Sequence, residues 1–292
     1  MALGGTNLDP LCWFDEIAIW IVNVCHTMSD PLDQIQYLVL SKNRVRVLEY
    51  LSEAPADREE LSEQLDIPRS TLSRVLAGLE AQNWIAQHGS DCNSTPLGAV
   101  LADEFTSLKE AVETMQHLED VIDYLPMNET DFELNRLRDA TIATPTQTDP
   151  GAPVRRAREL LHEADEFRFL TNTVVSPLVE TLREQTVQGE LTLVGVITGD
   201  LLDAVSDSPE FRERTREMIE SGSAEFYRYD GSVSQTLGVA DETVALITQI
   251  DRDGNQRAQI ETDDRFVCSW VMSRIEEHRR EAEQIRATTL AE

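Results

Sequence analysis

A short stretch near residue 70 carries side chains suited to contacting nucleic acid. Residues 68–79 contain no aspartate or glutamate, although the whole chain has 54 acidic and 25 basic residues. Arginine offers a planar fork of donors that matches guanine edges and phosphates, and small hydroxyls reach phosphates without crowding a groove. The candidate DNA contacts in this stretch are Arg69, Ser70, Thr71, Ser73 and Arg74.

The spacing of the neighbouring apolar residues predicts how a helix presents this stretch. The residues at i, i+3, i+4 and i+7 of one buried face are Leu72, Val75, Leu76 and Leu79. The arginines and hydroxyls then lie on the opposite face of a recognition helix over about residues 69–82. A shorter helix with Asp57 as its N-cap precedes it, and Ile67 and Pro68 lie in the break between the two. This pattern indicates a helix-turn-helix whose second helix enters the DNA major groove. The alternative is a helical hairpin with a solvated outer face.

A polar hairpin is predicted directly after the second helix. Residues 85–88 have the pattern of a short strand, residues 89–94 form a turn-rich loop, and Thr95-Pro96 is typical of a helix start. A hairpin in this position is the wing of a winged helix. Residues 87–94 contain no arginine or lysine. We therefore do not expect the wing itself to hold phosphates.

The run REELSEQLDIPRSTLSRVLAGLEAQNWI, followed by STPLG, resembles the winged-helix domain of archaeal and bacterial regulators of the MarR and ArsR type. The resemblance implies a DNA-binding domain over residues 29–96, with double-stranded DNA as the partner. In winged-helix proteins the start of the preceding helix lies near the DNA backbone. Lys42 and Arg44 are therefore candidate phosphate contacts, and a solvated helix start is an equally good explanation of them.

The charge of the chain is unusual for a DNA-binding protein. The net charge is −29, and the basic residues are almost all arginine, with Lys42 and Lys109 as the lysines. Such a composition is typical of proteins that stay soluble in molar salt, where surface carboxylates hold water and cations. We infer a cytoplasmic protein of a halophilic archaeon. Because high salt removes most of the gain from counterion release, DNA recognition would depend on direct contacts from a locally neutral or positive face.

The cysteine spacing predicts neither a metal site nor a disulfide framework, and no cofactor is expected. The four cysteines, which have no C-x-x-C spacing, are Cys12, Cys25, Cys92 and Cys268.

Residues 1–27 contain no lysine or arginine and are interpreted as a doubtful N-terminal extension, with Met28 as the natural start. The alternative is a short helix that packs on a partner subunit. The apolar run within them is too short to span a bilayer and lacks a basic segment before it, so no membrane association is expected.

Residues 97–125 are predicted to form one long helix, because apolar residues recur by threes and fours close to a heptad pattern. Such a helix needs a partner for its apolar seam, and a two-fold operator demands a two-fold protein, so we expect a homodimer. Residues 126–153 have the prolines and threonines of a connector, with Thr141-Ile142-Ala143 as a possible edge strand.

Residues 154–286 alternate helix and strand patterns, which predicts an α/β domain. Within it, residues 199–222 are predicted to be helical up to Gly222, residues 235–251 and 256–264 to pair as a hairpin, and residues 266–286 to form a closing helix. In such sheets, small molecules bind at the carboxyl ends of strands, and helix N-termini suit anions. The candidate ligand-binding residues are Thr171, Asn172, Thr173, Ser176, Thr198 and Gly199. Ordinary helix capping without a ligand explains any one of them as well.

The segments DATIATPTQTDPGAPVRRARELL and FLTNTVVSPLVETL resemble the C-terminal part of haloarchaeal winged-helix regulators. The sensor domain of these regulators is related to the middle domain of a methanogenesis regulatory protein. The resemblance implies a transcriptional regulator that senses a small-molecule effector. The predicted fold class is an α+β winged helix-turn-helix domain followed by an α/β effector-sensing domain.

An enzyme is the rival class. The resembled sensor fold has the layout of phospholipase D-type domains, which need a His-x-Lys motif. Residues 154–286 contain no lysine, and neither His162 nor His278 begins that motif. No hydrolase, metalloprotease or nucleotide-binding motif is present, so no catalytic residue is predicted. A second alternative is a protein-interaction adaptor with a vestigial winged helix.

Overall fold

The computed structural model describes residues 30–125, 130–250 and 256–290. The chain divides into two compact units, with the boundary between Lys109 and Glu110. The predicted extension, residues 1–27, lies outside the described residues. No helix in the described ranges is both long and apolar enough to cross a membrane. Within the same ranges, no group of three or more His, Cys, Asp or Glu side chains could hold a metal ion.

The first unit consists mainly of helices and a small antiparallel sheet. Its elements are α1 (Pro31–Val39), α2 (Lys42–Glu53), β1 (Ala56–Asp57), α3 (Arg58–Gln64), α4 (Arg69–Ala81), β2 (Ile85–His88), β3 (Asp91–Ser94) and the start of α5 (Pro96–His117). The strand order is β1-β3-β2. The hairpin of β2 and β3 turns at Gly89, which has φ +68°.

Local capping explains where the helices of this unit begin. The Asp57 carboxylate accepts hydrogen bonds from the backbone N–H groups of Glu59 and Glu60, each at 2.8 Å, as predicted for an N-cap. Thr95 caps α5, because its hydroxyl accepts from the Gly98 N–H at 3.0 Å. Ile67 is buried between α3 and α4, at 2% exposure, and fills the joint between the two helices. These local predictions are confirmed.

The helix after the hairpin is shorter than predicted. It ends at His117 rather than continuing to residue 125, and residues 122–124 form a 3-10 turn. Leu118 and Val121 are fully buried and Leu125 nearly so, in a core of the second unit. The apolar spacing therefore continues past the end of the helix because its last members belong to a different core.

The second unit is built on one eight-stranded sheet. Its elements are the end of α5, β4 (Thr141–Ala143), α6 (Ala152–Glu163), β5 (Glu166–Thr171), α7 (Ser176–Gln188), β6 (Thr192–Thr198), α8 (Gly199–Val205), α9 (Pro209–Glu220), β7 (Ala224–Tyr229), β8 (Thr236–Ala240), β9 (Val244–Ile250), β10 (Gln256–Thr262), α10 (Arg265–Glu281) and β11 (Glu283–Ile285). The strand order is β11-β7-β6-β5-β8-β9-β10-β4. The β5–β6 and β6–β7 pairs are parallel, and all other neighbours are antiparallel.

The sheet separates two cores. Phe167 and Phe226 pack with residues of α6, α7 and α9 on one face. Leu170 and Val196 pack with residues of α10 on the other face. Successive side chains of a strand point to opposite faces, so each strand contributes to both cores. This mixed sheet with helices on its faces agrees with the predicted α/β class.

Several helices and strands of the second unit differ from the predicted ones. The predicted edge strand 141–143 and the pairing of β9 with β10 are confirmed. The single helix over 199–222 is wrong: Ser208 caps a new helix, and Pro209 occupies its first position. The run 235–251 is itself a hairpin, because Asp241 and Glu242 both adopt positive φ in a turn that the Thr243 N–H closes on the Ala240 carbonyl. The closing helix ends at Glu281, and β11 then pairs with β7.

Candidate nucleic-acid interface and internal cavity

The outward face of α4 carries the five predicted DNA contacts, of which Thr71 is half-buried and the rest are exposed. The apolar residues of the opposite face are all buried in the core of the first unit, as predicted. The first turn of α4 has no acidic residue. The helix therefore presents its arginines and hydroxyls to solvent rather than to the protein's own body.

Arg69 is the first residue of α4 and forms an ion pair with Glu59 of α3. The Nη2–Oε1 distance is 2.6 Å, and the two side chains are 75% and 68% exposed. Ion pairs with so much exposure add little to stability, so a phosphate can replace the carboxylate at small cost. The Ser73 hydroxyl donates to the Arg69 carbonyl at 2.9 Å, which directs it along the helix.

Arg74 differs from Arg69 because it has no partner. Among the described residues, its guanidinium forms no hydrogen bond and no ion pair. Ser70, also exposed, makes no side-chain hydrogen bond there either. A guanidinium has five donors in a fixed fork, and all those of Arg74 remain available to an outside acceptor.

The two predicted DNA contacts on α2, Arg44 and Lys42, differ in whether they also contact the protein itself. The Arg44 guanidinium donates to the Tyr37 carbonyl and lies 3.8 Å from the centroid of the Tyr37 ring. Tyr37 packs against α4 at Gly78, where an added Cβ would lie 2.0 Å from the tyrosine oxygen. Arg44 therefore helps to hold α1 on the domain. Lys42 is exposed, with no such contact in the described chain. Both remain predicted phosphate contacts, and Arg44 has a structural role in addition.

The hairpin after α4 is anchored but not basic. Arg58 of α3 donates to the Gln87 side-chain oxygen at 2.5 Å, and the Gln87 amide donates to Glu80 of α4 at 2.6 Å. This chain of contacts fixes strand β2 relative to both helices. Asp91 places a carboxylate beside the hairpin turn. The geometry gives no support to phosphate binding by the wing.

Neither described cysteine is placed for reactive chemistry. Cys92 and Cys268 are both buried free thiols. Burial raises the pKa of the Cys92 thiol, although the nearby Arg58 works in the opposite direction. Burial also raises the pKa of the Cys268 thiol. A protonated, inaccessible thiol is a poor nucleophile, so these residues are packing elements.

The structure does not bring the six predicted ligand residues together. Thr171 and Thr173 line an internal cavity. The Asn172 amide is held by the Val233 carbonyl at 2.9 Å. Ser176 is the first residue of α7 and not its cap, since Val175 takes that position without a side-chain hydrogen bond.

The other two predicted ligand residues, Thr198 and Gly199, are buried at the end of β6. Arg228 and Asp230 lie so close that a Cβ on Gly199 would be 2.7 Å from the Asp230 carboxylate. Arg228 also binds Asp203 through two hydrogen bonds of 2.7 and 3.1 Å, which lower the pKa of the Asp203 carboxyl. The protein's own carboxylates therefore occupy the position that was predicted for an anionic ligand.

The cavity lies instead between the sheet and the helices of α6, α7 and α9, with a volume of about 120 Å³. Its lining contains no charged side chain, although 27% of the chain is Asp, Glu, Lys or Arg. Phe167, Phe169 and Phe226 provide aromatic walls. A cavity of this kind is a candidate ligand site.

Four polar residues form a row across the cavity floor on the adjacent strands β5, β8, β9 and β10. They are Thr171, Thr236, Thr248 and Gln259. The Thr171 and Thr236 hydroxyl oxygens are 2.9 Å apart. Thr236 pairs with Thr248, and Thr248 with Gln259, in the strand register. The last three of the row were not predicted, because residues 236, 248 and 259 lie far from Thr171 in the sequence and meet it only through the sheet topology.

The fold and these two sites define a two-unit protein: a helix pair with a hairpin, followed by an α/β unit with an apolar cavity. Residues 32–117 match the family model described as the HVO_A0261 N-terminal domain. Residues 150–281 match the model of the methanogenesis regulatory protein FilR1, middle domain. The predicted resemblance of the second domain to that middle domain is confirmed. The MarR and ArsR type stays a prediction for the first domain.

The curated proteins include no match to the chain. Among solved structures, TrmBL2, an archaeal chromatin protein, is 17% identical, with 84% of this chain and 94% of that chain covered and a TM-score of 0.38. Nuc, a phospholipase D family member from Salmonella typhimurium, is 7% identical, with 50% and 99% covered and a TM-score of 0.41. NucT from Helicobacter pylori is 7% identical, with 50% and 98% covered and a TM-score of 0.37. Structural matches with TM-scores this low establish no shared activity.

Proposed function

We propose that the protein is a sequence-specific DNA-binding transcriptional regulator whose second unit senses a small molecule. The observation that carries the proposal is Arg74. Within the described residues it is unpaired, and it lies exposed in a stretch, residues 68–79, that has no carboxylate in a chain with a net charge of −29. The helix-turn-helix pair α3 and α4, followed by a hairpin, is the arrangement in which such a face enters the major groove. The match to a regulatory family over residues 150–281 supports the same proposal.

The residues of the interface then take separate roles. Arg74 binds a base edge or phosphate directly, and Arg69 exchanges Glu59 for a phosphate. The hydroxyls of Ser70, Thr71 and Ser73 contact the DNA phosphate backbone. Lys42 and Arg44 bind phosphates through their positive charges. Because counterion release is small in the molar salt of a haloarchaeal cytoplasm, these direct contacts provide most of the specificity. We assign no catalytic residue.

The test is a footprint on the protein's own promoter region in molar KCl, with wild type and Arg74→Ala. We expect a two-fold footprint, and a loss of about 1–3 kcal/mol in binding free energy for Arg74→Ala if Arg74 contacts a guanine. The matched control is Arg265→Ala, which removes from α10 of the other unit an exposed arginine that forms no ion pair within the described residues, and this variant should bind like wild type. Equal losses in the two variants would refute a specific role for α4.

We also propose a homodimer formed through α5. Several large apolar side chains on this helix are exposed in the isolated chain, including Leu97 (67%), Leu108 (54%) and Met115 (63%). Such a row on a helix is typical of a helix–helix interface. Leu108→Glu should convert a dimer to a monomer in sedimentation experiments, whereas Val187→Glu, at an exposed site on α7, should not. A monomeric wild type would refute the dimer.

One observation favours a second candidate function, an adaptor that binds protein rather than DNA. Glu59 and Asp91 place carboxylates beside the helix face and the hairpin turn, where DNA-binding winged helices gain from positive charge. The same experiment separates the two functions. If wild type and Arg74→Ala bind DNA equally poorly, the adaptor function is favoured.

A further inference from the structure

We propose that the cavity of the second unit binds a neutral molecule with one ring-sized apolar body and a single hydroxyl group, such as a phenol. The site is argued from the cavity itself. Only the consequence, a change in DNA binding when it is occupied, rests on the proposed function. This ligand class differs from the anionic ligand that the strand ends predicted.

The size of the cavity sets the size of the ligand. Its volume is about 120 Å³. An engineered cavity of about 150 Å³, lined by leucine, isoleucine and phenylalanine, stays dry and binds benzene or xenon. The present walls have the same chemistry, with Phe167, Phe226, Leu182 and Met218 all buried. The enclosed part of this space therefore fits one ring.

The absence of charge in the lining sets the charge of the ligand. No acidic, basic or histidine side chain lines the cavity. A carboxylate or phosphate would lose its hydration there without gaining a cation, which costs far more than burying a neutral group. Nearby arginines are held elsewhere: Arg183 binds Glu180 and Glu217, and Arg228 binds Asp203. A neutral ligand is therefore strongly favoured over an anion.

The hydrogen bonds of the cavity floor set the polar group of the ligand. The Thr171 hydroxyl donates to the Thr173 carbonyl at 2.9 Å, so the Thr236 hydroxyl, 2.9 Å away, donates to Thr171. The Thr236 oxygen then faces the cavity as an acceptor. Thr248 is 8% exposed, and its hydroxyl forms no hydrogen bond within the described residues. A ligand hydroxyl in the cavity would give this oxygen a hydrogen-bond partner.

The two threonines are placed to share one ligand group. Thr236 and Thr248 are direct partners in the register of β8 and β9. Cβ atoms of such a pair lie about 4.5–5.5 Å apart. One hydroxyl between them can donate to the Thr236 oxygen and accept from the Thr248 hydroxyl. An alcohol or phenol satisfies both, whereas an ether or ketone only accepts.

The first test measures binding to the full-length chain in molar KCl by calorimetry, with phenol, fluorobenzene and benzoate as probes. Phenol should bind saturably with one site per chain. Fluorobenzene, which keeps the ring and lacks the hydroxyl, should bind about tenfold more weakly, in line with the loss of a hydrogen-bonded group. Benzoate should bind still more weakly. Benzoate binding as tight as phenol binding, or phenol binding without saturation, would overturn the proposal.

Two variants locate the site. Thr248→Val keeps the shape and removes the hydroxyl, so it should weaken phenol and leave fluorobenzene unchanged. Leu178→Trp places a large ring into the cavity from its half-buried rim and should abolish binding of both. Val187→Trp, on the exposed side of the same helix, is the control and should bind like wild type. If circular dichroism shows that Leu178→Trp does not fold, Thr248→Val decides alone. An equal effect of Thr248→Val on both probes would contradict the assigned role.

A final experiment distinguishes failure of the cavity site from failure of the proposed function. The promoter footprint is repeated with phenol, using wild type and Thr248→Val. If phenol binds the chain and the footprint does not change, sensing fails and the cavity site stands. If the chain binds no DNA and phenol still saturates one site, the regulator proposal fails and the site again stands. If phenol alters the footprint equally in both proteins, phenol acts elsewhere and the site fails.

Discussion

The two units treat their cationic side chains differently. In the second unit, many arginines are held by carboxylates, including Arg156, Arg168, Arg183, Arg214 and Arg279. In the first unit, the ion pairs formed by described residues include those of Arg69 with Glu59 and of Lys109 with Glu49, and the described residues there form no such network of arginines and carboxylates.

This difference separates two uses of arginine in one acidic chain. The 54 carboxylates of the chain give many arginines an acidic partner, although Arg265, next to Asp263 and Asp264, forms no ion pair within the described residues. Residues 68–79 are free of acid, and Arg74 is left unpaired there. Arginines with carboxylate partners contribute to the stability of the fold, whereas an unpaired one keeps its full charge for an outside anion. Arg74 is therefore set apart by its place on the outward face of α4 together with its lack of a partner, and not by the lack of a partner alone.

The largest effect that tests this comparison concerns stability. Arg156 joins α6 to β10 through two hydrogen bonds to Glu261, of 2.8 and 2.6 Å, and the Glu261 side chain is only 11% exposed. Arg156→Ala leaves that carboxylate without its partner. We expect a loss of about 1–2 kcal/mol in denaturant unfolding, less than for a fully buried pair because Arg156 is partly solvated. Arg74→Ala should change stability by less than about 0.5 kcal/mol. Equal losses in the two variants would remove the distinction.

A smaller effect concerns the one paired arginine of the α4 face. Glu59→Gln removes the carboxylate that competes with DNA for Arg69. We expect DNA to bind roughly two- to fivefold more tightly, since an exposed pair of this kind is weak and its removal also reduces repulsion of phosphates. Gel shifts in molar KCl measure the change. Glu277→Gln, which removes an exposed carboxylate paired with Arg274 in α10, is the control and should leave affinity unchanged. Weaker binding by Glu59→Gln would mean that Glu59 positions Arg69 for DNA.

The parts of the fold that the sequence predicts are those with local signals. Asp57 and Thr95 cap helices through bonds to residues two or three positions away, and the buried face of α4 follows from its own spacing. The end of α5 does not follow from local spacing, because Leu118 and Val121 continue the apolar pattern while packing in another core. The turn at Asp241 and Glu242 lacks the glycine or asparagine that usually indicates positive φ.

The two candidate sites also differ in how far local sequence patterns predict them. The α4 face lies on one continuous helix, so its members share one local pattern, and all five were predicted as contacts. The cavity floor is assembled from four strands, and its row is set by the pairing of Thr236 with Thr248 and of Thr248 with Gln259. No local pattern predicts which strands become neighbours. The rule that ligands bind at strand ends predicted Thr171 and Thr173, which line the cavity, and it did not predict the other residues of the floor.

The smallest effect concerns acid, which should act on the arginine pairs of the second unit. The hydrogen bond from Arg183 lowers the pKa of the Glu180 carboxyl, and Arg214 contributes to the same shift. A lowered folded-state pKa gives stability that is fully present above the unfolded value, about 4.3, and lost as pH falls through the folded value. Glu180→Gln should therefore reduce the free energy of unfolding at neutral pH by less than about 1 kcal/mol, because Glu180 is a third exposed. The melting temperatures of the variant and wild type should differ at neutral pH and converge in acid. Glu184→Gln, on the exposed side of the same helix, should track wild type at every pH. A constant gap between Glu180→Gln and wild type across pH would show that the variant acts through packing and not through the charge of the pair.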